Sequence, residues 1–219
     1  MAKKVGVLLS GCGVYDGSEI HEAVLTLLAL DKAGATVVCT APNVEQMHVV
    51  DHLSGETTDE KRNVLVESAR IARGEIKDLK DVKTEDLDAI ILPGGFGAAK
   101  NLSDFATKGP DASVHPQVER ILGEMVAAGK PIGAICIAPA TLVKAISEKK
   151  PEVTIGNDPK TAQNIEKMGG AHIDRTVYEI HVDEKNKVVT TPAYMLGPGI
   201  KDVAAGIEKL VNQVVSMIG

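Results

Sequence analysis

Pro131-Ile132-Gly133-Ala134-Ile135-Cys136-Ile137-Ala138-Pro139-Ala140 decides the architecture of this 219-residue chain. Residues 131–135 read as a short buried strand, and Cys136 follows at once, before a helical segment over 138–146. A nucleophile on a sharp strand-to-helix turn needs small residues two positions before and after it, and both Ala134 and Ala138 meet that need. Such a turn exposes the thiol and sets it near a helix N-terminus, which favours the thiolate. It also offers the Ile137 amide as an oxyanion donor. The plainer reading of Cys136 is a packed thiol behaving as a small hydrophobe.

Working outward, residues 5–9, 35–40 and 87–92 are further apolar runs. Helical periodicity over 19–33 separates the first two, with Gly34 as a stop. This spacing predicts a right-handed βαβ unit and hence a parallel sheet. Residues 42–55 read as a long loop, 58–74, 115–128 and 200–217 as helices, and 153–155 and 188–191 as strands. Residues 179–183 are expected to form a hairpin with 187–189 through Lys185-Asn186. Neither a linker nor an internal repeat divides the chain, so residues 1–219 are expected to form one domain.

The composition narrows the function classes. Thirty acidic against 24 basic residues leave a net charge of −6, which opposes a polyanion partner; no nucleic acid is expected. Three cysteines, Cys12, Cys39 and Cys136, have no framework spacing, which fits free thiols in a reducing compartment. The start of the chain reads as a strand rather than a signal, and no apolar run reaches membrane-span length, so the expectation is a cytoplasmic protein with no membrane partner. No His, Cys and carboxylate group has metal-ligand spacing, so neither a metal nor another cofactor is predicted.

Two more segments carry chemistry. Pro93-Gly94-Gly95-Phe96-Gly97 leaves the C-terminal end of a strand, where open α/β sheets bind ligands, and its glycines let backbone amides approach a substrate. Glu22 lies in the first turns of the helix after strand one, with Asp16 and Ser18 as candidate caps. Its apolar neighbours predict partial burial and a raised pKa. Gly11-Cys12-Gly13 lacks the spacing of a dinucleotide fingerprint, so Cys12 and Gly13 are read as lining residues. Cys39 is read as core. His172 and His181 are the histidines considered for the site, although Glu179, His181 and Asp183 fit the solvent face of a hairpin better. Arg62, Asn63, Arg70 and Arg73 either bind a carboxylate product over the site or form a solvated helix face.

The order of four motifs is informative: Leu9-Ser10-Gly11-Cys12-Gly13-Val14-Tyr15-Asp16-Gly17-Ser18-Glu19-Ile20-His21-Glu22, then Pro93-Gly94-Gly95-Phe96-Gly97-Ala98-Ala99-Lys100-Asn101, then Cys136-Ile137-Ala138-Pro139-Ala140, then Thr190-Thr191-Pro192-Ala193-Tyr194-Met195. In this order the chain resembles the ElbB glyoxalase family, the enhancing-lycopene-biosynthesis proteins, within the PfpI and class I glutamine amidotransferase-like superfamily. The resemblance covers nearly the whole chain.

It implies a flavodoxin-like three-layer sandwich with a mostly parallel sheet and a nucleophile elbow, a homodimer, and glutathione-independent conversion of glyoxal to glycolate, or else protein deglycation. It also implies Cys136 as nucleophile, Glu22 as acidic partner, and Gly94, Gly95 and Ile137 as oxyanion-hole positions. Unlike the peptidase-like and amidotransferase relatives, the chain has Ile137 rather than histidine directly after the nucleophile, so a Cys-His triad is not expected. The other readings are a cysteine redox sensor using the same residues and a binding module for an isoprenoid-pathway partner.

Overall fold

In the computed structural model, which describes residues 2–219, the apolar runs assemble into one seven-stranded sheet. The strands are β1 (Lys4–Leu8), β2 (Thr36–Ala41), β5 (Lys77–Asp78), β6 (Ala89–Leu92), β7 (Ile132–Ile135), β10 (His181–Asp183) and β11 (Val188–Thr191). Their spatial order is β10-β11-β7-β6-β1-β2-β5, and every pairing is parallel except β10 with β11. Two-residue ladders lie apart from the sheet, β3 (Val49–Val50) with β4 (Thr57–Thr58) and β8 (Glu152–Val153) with β9 (Ala171–His172).

The central strands carry apolar residues on both faces because helices cover both. On one face Ile90, Leu92, Ile132 and Ala134 meet Ile121, Leu122 and Met125 of α5 (Pro116–Ala127) and Leu142 of α6 (Ala138–Ala145). On the other, Val5, Val7, Ile91 and Ile135 meet Ala23 and Leu30 of α1 (Ile20–Lys32), Val64 of α2 (Val64–Ile71), and Ile207, Leu210 and Val214 of α8 (Ile200–Ser216). Period-two alternation along β6 sends Ile90 and Leu92 to one core and Ala89 and Ile91 to the other. The result is the flavodoxin-like three-layer α/β sandwich expected from the motifs. Strand order reverses at β1 and β6, and the loops leaving these two strands form the crevice where open parallel sheets hold ligands.

Three local expectations differ from the fold. Residues 42–55, read as loop, contain β3, and the helix expected from residue 58 begins only at Val64, where the Asn63 side chain accepts the Val66 amide at 3.1 Å. Residues 153–155 stay outside the main sheet because Val153 pairs with His172. Helix α7 (Pro159–Lys167) was not expected, because the segment is mostly polar and Ile165 is its one buried residue; Asp158 caps it by accepting the Thr161 amide at 2.8 Å. The short helices α3 (Phe96–Lys100) and α4 (Phe105–Lys108) follow the glycine-rich exit from β6. Among the described residues, no helix is long and apolar enough to cross a membrane.

Candidate active site

Cys136 stands between β7 and α6 with φ of +61°, a left-handed backbone uncommon for a residue with a Cβ. Its amide donates to Thr191 O at 3.0 Å, tying the turn to the end of β11. This is the nucleophile elbow that Ala134 and Ala138 implied. The thiol is more enclosed than the sequence suggested, with the residue only 8% exposed.

Glu22 reaches the same point from the first turn of α1 and is 0% exposed. The Gly94 amide donates to its Oε2 at 2.9 Å and the Tyr194 amide to its Oε1 at 3.2 Å. Neither expected cap starts this helix: Glu19 does so, accepting the Glu22 amide at 2.7 Å, while Ser18 bonds Ser10 and Asp16 accepts the Val50 amide. Burial, and then the nearby Glu19 carboxylate, push the Glu22 carboxyl up to about 8; the Tyr194 amide, the Cys136 thiol and the Gly94 amide act in the opposite direction.

Cys136 also departs from expectation. Burial, followed by the Glu22 charge, pushes its thiol well above the usual value, outweighing the Gly95 and Ile137 amides that favour the thiolate. Two adjacent buried anions are disfavoured, so Glu22 and Cys136 titrate as one pair. The carboxyl, pushed up to about 8, is the one that releases its proton first, while the thiol keeps its own.

The oxyanion assignment needs one correction. The single N–H of Gly94 is already given to Glu22, which leaves the Gly95 and Ile137 amides as the donors converging on the sulfur. Gly94 is required for a different reason: a Cβ there would lie 2.5 Å from Cys136 Cβ, 2.6 Å from Glu22 Oε2 and 2.9 Å from Ile135 O. Gly95 has φ of +91°, and a Cβ on it would overlap the backbone of Gly17 and Glu19.

The loops after β1 and β6 are laced together. Phe96 N donates to Val14 O at 2.8 Å, Gly97 N to Gly17 O at 2.8 Å and Glu19 N to Gly94 O at 2.9 Å. Gly17 lies against this contact, since a Cβ on Gly97 would meet it at 2.5 Å, whereas Gly11 and Gly13 are required by their own backbone, with φ of +112° and +140°.

Above Cys136 opens a cavity of about 690 Å³ with a wall rich in apolar groups, including Val14, Phe96, Phe105 and Met195. Glu19, Gly95, Ile137 and Tyr194 also border it, with Lys160, Thr161 and Asn164 of α7 on the far side. Glu22 lies beneath the floor and does not line it.

Four sequence candidates fall away from this cavity. Cys12 and Gly13 belong to the laced loop, where Gly13 backs onto His52. His172 accepts the Ile155 amide at 3.3 Å. His181 sits on the edge strand β10, 3.1 Å from Glu152 and 3.3 Å from Arg175. The solvent-face reading of this strand also changes, because the β8–β9 ladder covers it and leaves His181 and Asp183 buried. Arg62 and Arg70 pair with Glu60 and Glu67 and, like Asn63 and Arg73, do not border the cavity. Cys39 is buried in the core, as read.

Sequence reasoning missed Glu19, Tyr194 and His21 as neighbours of the site. Tyr194 is half-buried, its hydroxyl 2.7 Å from Nδ1 of the exposed His21. Ala193 before it has φ of +44°, a second left-handed residue with a Cβ. The Thr190–Met195 motif was visible in the sequence, but nothing in it linked Tyr194 to a helix 172 residues away.

A glutamine amidotransferase-like class 1 domain-containing protein 3 of Homo sapiens is 49% identical over 228 residues, covering 100% of this chain and 84% of its own. The ES1 protein of Danio rerio is 38% identical over 208 residues, covering 87% and 76%. Both are mitochondrial proteins, which overturns the expectation of a cytoplasmic one. A crystal structure of an isoprenoid biosynthesis protein with amidotransferase-like domain from Ehrlichia chaffeensis superposes with a TM-score of 0.94 at 40% identity, covering 100% of both chains. This bears out the resemblance read from the four motifs. A glyoxalase III structure from Candida albicans shares the fold at a TM-score of 0.65 and 14% identity, covering 99% of this chain and 98% of its own. The DJ-1/PfpI family model spans residues 12–195, from the laced loop to the Tyr194 turn, and this chain belongs to the DJ-1/PfpI family.

Proposed function

We propose that the protein is a cofactor-independent, cysteine-dependent glyoxalase that converts small 2-oxoaldehydes such as glyoxal to 2-hydroxy acids without glutathione. The observation that carries this reading is the buried Glu22–Cys136 pair, packed so closely beside Gly94 that a Cβ there would lie 2.6 Å or less from both, at the floor of a cavity bordered by Gly95 and Ile137, whose amides converge on the sulfur.

Once the pair has lost one proton, the Glu22 carboxylate takes the thiol proton as the sulfur adds to an aldehyde carbon. The Gly95 and Ile137 amides receive the alkoxide, and Glu22 returns the thiol proton to it, which gives a hemithioacetal and restores the carboxylate. Glu22, beside the sulfur and beneath the floor, takes the proton from the sulfur-bound carbon and returns it to the neighbouring carbon. Water then releases the hydroxy acid from the resulting thioester. The absence of a histidine after the nucleophile disfavours amide cleavage, which needs a base to serve a leaving amine. A raised thiol disfavours a redox sensor, whose oxidation follows thiolate character. A second copy of the chain is the partner that fits the apolar stripe of Ile20, Val24 and Leu28 left exposed on α1.

The test is steady-state glycolate production from glyoxal without glutathione, beside Cys136→Ala and Glu22→Gln. Turnover by the wild type and a loss of about a hundredfold or more in both variants supports the assignment. An inactive wild type, or an active Cys136→Ala, refutes it. Glycated peptide as substrate, preferred over glyoxal, would turn the assignment toward deglycation.

A further inference from the structure

Isomerising a hemithioacetal moves two protons, and the pair at the cavity floor accounts for one. The hydrogen on C1 passes through Glu22 to C2. The C1 hydroxyl must also lose a proton to become the thioester carbonyl, while the C2 carbonyl oxygen gains one to become a hydroxyl. C1 is thereby oxidised and C2 reduced within one molecule, and no outside electron donor is needed. The second proton is lost at one oxygen and gained at the other within the cavity, while Glu22 is engaged with the carbon-bound proton.

Resting on the glyoxalase reading, we propose that Tyr194 is the second acid-base residue, donating its hydroxyl proton to the C2 oxygen and recovering a proton through His21. Tyr194 borders the cavity, and its own amide holds Glu22 Oε1 at 3.2 Å, so the phenol is fixed relative to the first proton carrier. The left-handed Ala193 and the bond from Gly197 N to Ala193 O at 2.8 Å set the turn that presents it. Its hydroxyl lies 2.7 Å from His21 Nδ1, and His21 is exposed, so this contact leads from the cavity to solvent. The other nearby carboxyl group, Glu19, is already engaged in capping α1 by accepting the Glu22 amide at 2.7 Å. The proton shed by the C1 hydroxyl enters solvent and returns through the imidazole, which closes the balance.

The experiment compares the full chain with Tyr194→Phe and His21→Ala, using glyoxal turnover and the rate of iodoacetamide alkylation at Cys136. Tyr194→Phe is expected to lower kcat by about a hundredfold, the usual scale of a general acid, while alkylation keeps its wild-type rate. His21→Ala is expected to lose about tenfold in kcat and to recover it when imidazole is added, a rescue that a structural role would not show. Unchanged kcat in Tyr194→Phe, parallel loss of turnover and alkylation, or failure of imidazole rescue overturns the relay and leaves the glyoxalase reading standing. A wild type that turns over no glyoxal overturns both.

Discussion

Replacing Gly94 with alanine introduces one methyl group at the point where Glu22 and Cys136 meet. The new Cβ would lie 2.5 Å from Cys136 Cβ and 2.6 Å from Glu22 Oε2, against an ordinary carbon contact of about 3.5 Å, so these groups must separate by about 1 Å. Ile135 O at 2.9 Å blocks retreat toward β7. Overpacking of this size costs about 1–3 kcal/mol of stability, and a misplacement of about 1 Å costs about a hundredfold in rate. Gly123→Ala supplies the control, since its Cβ on α5 meets nothing within 4 Å and replaces a helical glycine, with an expected gain of about 0.5–1 kcal/mol. Denaturant unfolding gives the stabilities, and kcat/KM with glyoxal gives the chemistry. If Gly94→Ala retains wild-type kcat/KM, the two groups do not act across this glycine, and the proposed coupling is wrong.

The proton pair predicts kcat/KM rising with pH to a plateau, with a midpoint near 8, as the first proton leaves. Glu19→Gln should move that midpoint down, because the Glu19 charge helps to raise Glu22; an unmoved midpoint would show that Glu22 does not set it. Stability has the opposite slope. With a folded-state pKa near 8 against an unfolded value near 4.5, Glu22 contributes stability fully below pH 4.5, and this is lost as pH rises through 8. Glu22→Gln should therefore gain in Tm relative to wild type between pH 5 and 9, and a constant Tm difference would contradict the raised carboxyl. A cavity of about 690 Å³ with an apolar wall far exceeds glyoxal, so phenylglyoxal should show a higher kcat/KM than glyoxal, and the reverse order would refute a substrate site of that extent.

Much of the molecule follows from short-range pattern. Apolar runs of strand length separated by helical periodicity dictate a parallel sheet covered on both faces, because only that arrangement buries both sides of runs such as Ala89–Leu92. Alanines two positions either side of Cys136 specify the sharp turn, since larger side chains would clash there, and the glycines of 93–97 mark where backbones approach closely. Elements with little apolar content left no such trace: β5 is Lys77–Asp78, and α7 buries one residue.

Chemistry at the site was decided by distance in space. Glu22 could be suspected from its place in α1, but its full burial and its hold on amides 72 and 172 residues away exist only in the assembled fold. That assembly raises the thiol that the helix N-terminus alone would have lowered, and it commits the Gly94 amide to Glu22 instead of an oxyanion. It also brings Tyr194 to His21 while sending His172 and His181 to the far edge of the sheet. Local sequence specifies backbone conformation because its causes lie within a few residues. Charge coupling and proton paths depend on neighbours that only tertiary packing supplies.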